Sequence, residues 1–206
     1  MRTSVSFFLF KFLWRCALAV FCITGVLWII DQNIPFAGAK RIAYTFGSLH
    51  GQVSQLRPLS RATSLDLSKN PQTQTVFEDP VYFDIKTLVP YQRIIFTVLY
   101  QNHSGRQIGM GVKDGEGWKF ALKPFKEGIQ SVSAKATADK GEWTVGEVEF
   151  DLTKSSYANG RYTFLFSIPG LTIDKRAYEY IIFSQMNITL TRDDIITSVK
   201  NFFKKS

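Results

Sequence analysis

WTVGEVEFDL, residues 143–152, alternates apolar and polar side chains with a period of two. Val148, Phe150 and Leu152 fall on one side and Glu147, Glu149 and Asp151 on the other, as a half-buried β-strand requires. YIIFSQMNITLT, residues 180–191, repeats the pattern, with Ile182, Met186, Ile188 and Leu190 expected inward and Gln185, Asn187 and Thr189 outward. Working outward, the same period predicts strands at Val81–Lys86, Arg93–Gln101, Gln107–Lys113, Trp118–Pro124, Ile129–Ala134 and Arg161–Ile168. Ile94–Tyr100 and Tyr162–Ile168 are mostly apolar on both faces, which marks central strands. Asp114-Gly115, Lys140-Gly141 and Asn159-Gly160 supply residues that tolerate positive φ in tight antiparallel turns. Residues 77–192 therefore read as a mainly β domain, an antiparallel, jelly-roll-like β-sandwich of about eight strands.

A different pattern precedes it. FFLFKFLWRCALAVFCITGVLWII, residues 7–30, holds an uninterrupted apolar run at Cys16–Ile30. That run alone is short for a hydrocarbon core of about 30 Å at roughly 1.5 Å per residue. Phe12, Leu13 and Trp14 extend it if the Arg15 guanidinium snorkels to the headgroups. Trp14 and Trp28 then lie near the two interfaces, with Arg2, Lys11 and Arg15 before the run and Asp31 after it. The reading is a single-pass anchor meeting the membrane through Phe12–Ile30, its N-terminus cytoplasmic and the β domain extracytoplasmic. A cleaved signal peptide is the alternative, although Ala37-Gly38-Ala39 lies further past Ile30 than a compact cleavage region would place it.

Between anchor and domain, residues 31–76 read as a juxtamembrane helix and a polar linker. Ile42, Phe46, Leu49, Val53 and Leu56 recur at helical spacing, which predicts a stalk that either pairs two chains or lies on the membrane or the domain. RPLSRATSLDLSKNPQTQTV, residues 57–76, is rich in Ser and Thr and reads as linker. After the domain, residues 193–206 predict a short amphipathic helix with Ile195, Ile196, Val199, Phe202 and Phe203 on one face.

Composition narrows the chemistry. The net charge of +8 is concentrated around the apolar run, with Lys40, Arg41, Arg57 and Arg61 unopposed by any acid between residues 32 and 65. That placement suits anionic headgroups or an anionic envelope polymer and argues against a nucleic-acid face. Cys16 and Cys22 both lie in the apolar run, so the domain has no disulfide, which leans towards a bacterial cell envelope. The histidines are His50 and His103, too few for a zinc site or a Ser-His-Asp triad in the domain. No glycine-rich phosphate loop joins a strand to a helix, and no metal or cofactor is expected. The sequons at Asn102 and Asn187 matter only in a eukaryotic source.

Glu147, Glu149 and Asp151 stand about 7 Å apart along one strand face, where neighbouring carboxylates raise each other's pKa. The run resembles the acidic catalytic strand of laminarinase-type jelly-roll hydrolases, with the middle and last acids interchanged. That resemblance implies a small glycosidase; a cation site and a solvated face are the other two readings of the same trio. RYTFLFSIPGL, residues 161–171, followed by YIIFSQMNITLTR, residues 180–192, resembles the jelly-roll carbohydrate-binding modules and galactose-binding-like sandwiches in architecture. The resemblance implies sugar recognition on exposed aromatic platforms, for which Trp118, Trp143, Tyr157 and Tyr178 are the candidates, with carboxylates alongside. Two non-catalytic roles follow: a membrane-tethered module binding a glycan, envelope polymer or protein, and a structural subunit associating through Ile42–Leu56.

Overall fold

The computed structural model describes residues 3–33, 38–63, 73–115, 117–128, 142–172 and 179–192. The expected strand at Ile129–Ala134, the Lys140-Gly141 turn, Tyr178 and the C-terminal helix over 193–206 lie outside the described residues. The chain forms two units, Met1–Ala37 and Gly38–Ser206.

The first unit is one helix, α1 (Thr3–Asn33). Its side chains are described from residue 11 to residue 26, about 24 Å of helix axis. Among the described residues no helix is long and apolar enough to cross a membrane. Phe12, Leu13, Trp14, Leu18, Val20, Phe21, Ile23 and Val26 are all exposed. The Thr24 hydroxyl donates back to the carbonyls of Val20 and Phe21, at 2.9 and 3.0 Å, so it requires no outside partner.

The second unit is antiparallel throughout. Its strands, among the described residues, are β1 (Ala39–Thr45), β2 (Gln74–Val76), β3 (Val81–Lys86), β4 (Arg93–Asn102), β5 (Gly109–Lys113), β6 (Phe120–Pro124), β7 (Lys126–Gly128), β8 (Thr144–Asp151), β9 (Tyr157–Ala158), β10 (Arg161–Ser167) and β11 (Ile181–Thr191). One sheet runs β1-β11-β4-β8-β7, with β2 pairing the start of β11. The other runs β3-β10-β5-β6, with β9 beside β10. Each sheet buries one face because alternate side chains are apolar, and the two apolar faces meet through phenylalanine rings. Phe164 of β10 lies 4.9 Å from Phe96 of β4, and Phe166 lies 4.5 Å from Phe183 of β11, centroid to centroid. The mainly β sandwich expected from the sequence is therefore present.

Three expectations need correction. The stalk helix over Ile42–Leu56 is instead strand β1 followed by an extended segment that joins the sandwich. Ile42, Tyr44 and Phe46 have period-two spacing, and all three are buried; Leu49, counted in the helical stripe, is 72% exposed. β1 pairs with β11 from Ala39↔Thr191 to Thr45↔Gln185, and Val53 bridges to Ile85 of β3. A helix would have left the apolar edge of β11 uncovered, so pairing outweighs the helical spacing. The described part of the 57–76 linker is likewise built in, with Arg57 bridging Tyr82, Ala62 bridging Val76 and β2 extending the first sheet. The third correction is Ile182, which is only half-buried. The β4–β11 register shifts between Phe183 and Gln185, so Ile181 and Phe183 point inward before the bulge and Met186, Ile188 and Leu190 after it.

Two predictions follow from β1. A chain beginning at Asp66 lacks Ile42, Tyr44, Phe46, Val53 and Leu56, all buried. At about 1.5–3 kcal/mol per buried side chain, their sum is comparable with a whole domain's stability of roughly 5–15 kcal/mol. Circular dichroism should show a cooperative thermal transition for residues 38–206 and none for 66–206. Tyr44 is 2% exposed, its hydroxyl has no hydrogen-bond partner among the described residues, and burial pushes its pKa up to about 12. The unfolded chain releases this proton from about pH 10, so the contribution to stability is complete below that and declines as pH climbs towards 12. Tyr44→Phe should match or exceed the parent at pH 7 in urea unfolding, and its advantage should widen between pH 9 and 11.

Candidate functional site

In β3, Val81, Phe83 and Ile85 enter the core, so strand parity sends Tyr82, Asp84 and Lys86 to the outer face of their sheet. Neighbouring β10 sends Arg161 and Thr163 to the same side, with Thr163 directly opposite Asp84. Arg57 reaches this face because its backbone exchanges hydrogen bonds with Tyr82, at 2.8 and 2.7 Å. Trp118 approaches from the turn before β6.

These residues enclose a groove of about 960 Å³, lined also by Gln55, Pro58, Leu59 and Lys86. Asp84 forms its floor. The residue is 5% exposed, and its Oδ1 accepts from Thr163 Oγ1 at 2.8 Å while Oδ2 accepts from Arg57 Nη2 at 2.6 Å. Arg161 Nη1 lies 3.8 Å from the same Oδ2. The backbone N–H of Asp84 donates to Ser54 Oγ at 2.8 Å, tying the entering segment to β3. Trp118 is 77% exposed, with Tyr82 at 5.7 Å and Phe120 at 6.4 Å, and the Lys113 ammonium sits 5.8 Å from its ring centroid. An exposed indole beside fixed donors and acceptors offers an apolar face and polar edges to one ligand.

Of the residues singled out from sequence, Trp118 alone lines this groove. Trp143 is half-buried just before β8. Tyr157 packs against the core, its hydroxyl donating to the Thr87 carbonyl at 2.8 Å and its ring 4.8 Å from Tyr162. Glu147, Glu149 and Asp151 lie on the outer face of the other sheet, exposed as alternation requires. There Glu149 pairs with Arg93 at 3.0 Å. Asp151 Oδ1 accepts from the Thr153 hydroxyl and N–H, at 2.7 and 2.9 Å, and these bonds hold its carboxyl below the usual range. A general acid needs the opposite shift. Among the described residues no three His, Cys, Asp or Glu side chains come together as a metal site.

Sequence reasoning missed Tyr82, Asp84 and Arg161, and it counted Arg57 only among the cations flanking the apolar run. The alternation of VYFDIK, residues 81–86, was the available signal for Tyr82, Asp84 and Lys86 sharing a face. Nothing local places Arg57 opposite them.

No family model matches the chain, and no curated protein matches it in sequence. Solved structures align with it at low scores. The CBM22-1 xylan-binding domain of Paenibacillus barcinonensis Xyn10C aligns over 73% of this chain and 94% of its own, at 7% identity and a TM-score of 0.40. The xylan-binding module CBM15 aligns over 74% and 99%, at 12% identity and 0.36. TmCBM61, solved with β-1,4-galactotriose, aligns over 79% and 96%, at 12% identity and 0.32. All three are carbohydrate-binding modules, and at these scores the likeness transfers no residue and no ligand.

Asp84→Asn removes the charge that holds two guanidinium groups. Because Arg57 is 53% exposed, the cost is modest, about 1–2 kcal/mol. Urea unfolding of the variant should show that loss, with the strand content unchanged.

Proposed function

We propose that this chain is a membrane-tethered, extracytoplasmic glycan-binding module whose ligand lies on Trp118 and Tyr82 in the groove beside β3. The observation that carries the reading is the exposed indole of Trp118 at the rim of a polar groove. A sugar ring has C–H groups on its faces and hydroxyls around its edge. Indole offers a surface to the first, and Gln55, Thr163 and the Arg57–Asp84 pair offer partners to the second. The sheet itself holds Tyr82, Asp84 and Thr163, which limits the ordering cost of binding at those positions.

The tether is read from α1. Its exposed apolar side chains suit lipid better than water, and the internally satisfied Thr24 hydroxyl is compatible with a hydrocarbon surrounding. A binding role without catalysis is supported by the position of Glu147, Glu149 and Asp151 on an open sheet face, away from the groove.

Affinity electrophoresis of the full-length chain in detergent, across gels containing different polysaccharides, tests the proposal. At least one polysaccharide should retard the protein, and Trp118→Ala should weaken that retention tenfold or more. Trp143→Phe should leave it unchanged. Retention that persists in Trp118→Ala would remove the groove from the account.

A further inference from the structure

We infer that the groove selects a sugar ring carrying a carboxylate; the inference rests on the glycan reading above and narrows it. Charge is the first argument. Arg57, Lys86 and Arg161 line the groove, and Asp84 is the one acid lining it among the described residues. Asp84 offers a single negative charge to two guanidinium groups, at 2.6 and 3.8 Å from the same oxygen. The groove therefore keeps a surplus of positive charge, with Lys113 adding more at the Trp118 end.

Geometry is the second. A guanidinium carries five N–H donors in a planar fork, and Arg57 engages Asp84 through one nitrogen, Nη2. Arg57 and Arg161 both line the groove, and their side chains remain 53% and 45% exposed. Asp84 is itself fixed by the Thr163 hydroxyl and by the backbone bond to Ser54. It is a positioning residue: it sets the direction of two arginines before the ligand arrives. Two oriented forks match a carboxylate better than a hydroxyl, because charge-assisted, two-pronged hydrogen bonds are the strong ones. Trp118 supplies the platform for the ring bearing that carboxylate, which a free anion would not use.

Two of the three acids on the opposite sheet already have partners. Glu149 is paired with Arg93, and Asp151 is satisfied by Thr153.

The test uses the full-length chain in detergent and calorimetric titration with oligogalacturonate, oligoglucuronate and oligomannuronate, each beside its fully methyl-esterified form. Esterification removes the charge and keeps the ring. At least one acid should bind tenfold or more tighter than its ester, with the gap closing as salt is raised. Arg57→Gln and Arg161→Gln should each narrow that gap by weakening the acid far more than the ester, whereas Trp118→Ala should weaken both forms alike. Equal affinity for acid and ester, or a gap unmoved by both arginine variants, overturns the acidic preference and leaves the glycan reading standing. Binding to neutral polysaccharide with none to any uronate has the same meaning. Failure to bind any sugar, charged or neutral, overturns both.

Discussion

A sheet with one apolar face must cover it, and here each sheet covers the other through phenylalanine. Phe83 and Phe164, on adjacent strands of one sheet, stack at 5.6 Å, and both rings contact Phe96 of the opposite sheet. Phe166 and Phe183 close the other end, joined there by Phe46 from the segment after β1. Rings so interlocked cannot change sides. Their fixed parity leaves no freedom in which residues face solvent, because a one-residue slip would turn every phenylalanine outward. Tyr82, Asp84 and Lys86 are on the outer face for that reason.

The groove is a consequence of that parity together with one long-range connection. Arg57 is far from Asp84 in sequence and reaches it because the segment after β1 runs antiparallel beside β3. Val53 and Leu56, just before Arg57, bury their side chains in the core. The same segment that completes the hydrophobic core thus delivers a cation to the surface. A buried carboxylate without such partners would be costly, so Asp84, Arg57, Thr163 and Ser54 form a mutually dependent set.

Much of the sandwich was legible in the sequence. VYFDIK alternates throughout, VEFDL alternates at the end of its strand and RIIFTVLYQ is apolar on both faces as a central strand is, and β3, β8 and β4 lie where those patterns put them. The misreading fell on Ile42–Leu56, where helical and strand spacings coincide. Ile42 and Phe46 satisfy both, and only by counting Tyr44 as apolar does the period of two stand out. At Ile182 the cause was a bulge, which inverts parity without any mark in the residue types. Trp118 was legible as an exposed aromatic because it follows a glycine-containing turn. Its partners were not, since Arg57 and Arg161 are brought to Asp84 by strand order, and strand order is a tertiary property.

Ligand recognition is proposed for the outer face of the β3–β10 sheet. Indole and guanidinium NMR resonances of the full-length chain, followed during titration with a retained oligosaccharide, test that claim most directly. Shifts at Trp118, Arg57 and Arg161 should saturate together, with the Trp143 indole and the Arg93 guanidinium unmoved. Shifts confined to Trp143 or Arg93, with Trp118 silent, would place recognition elsewhere and contradict the proposal.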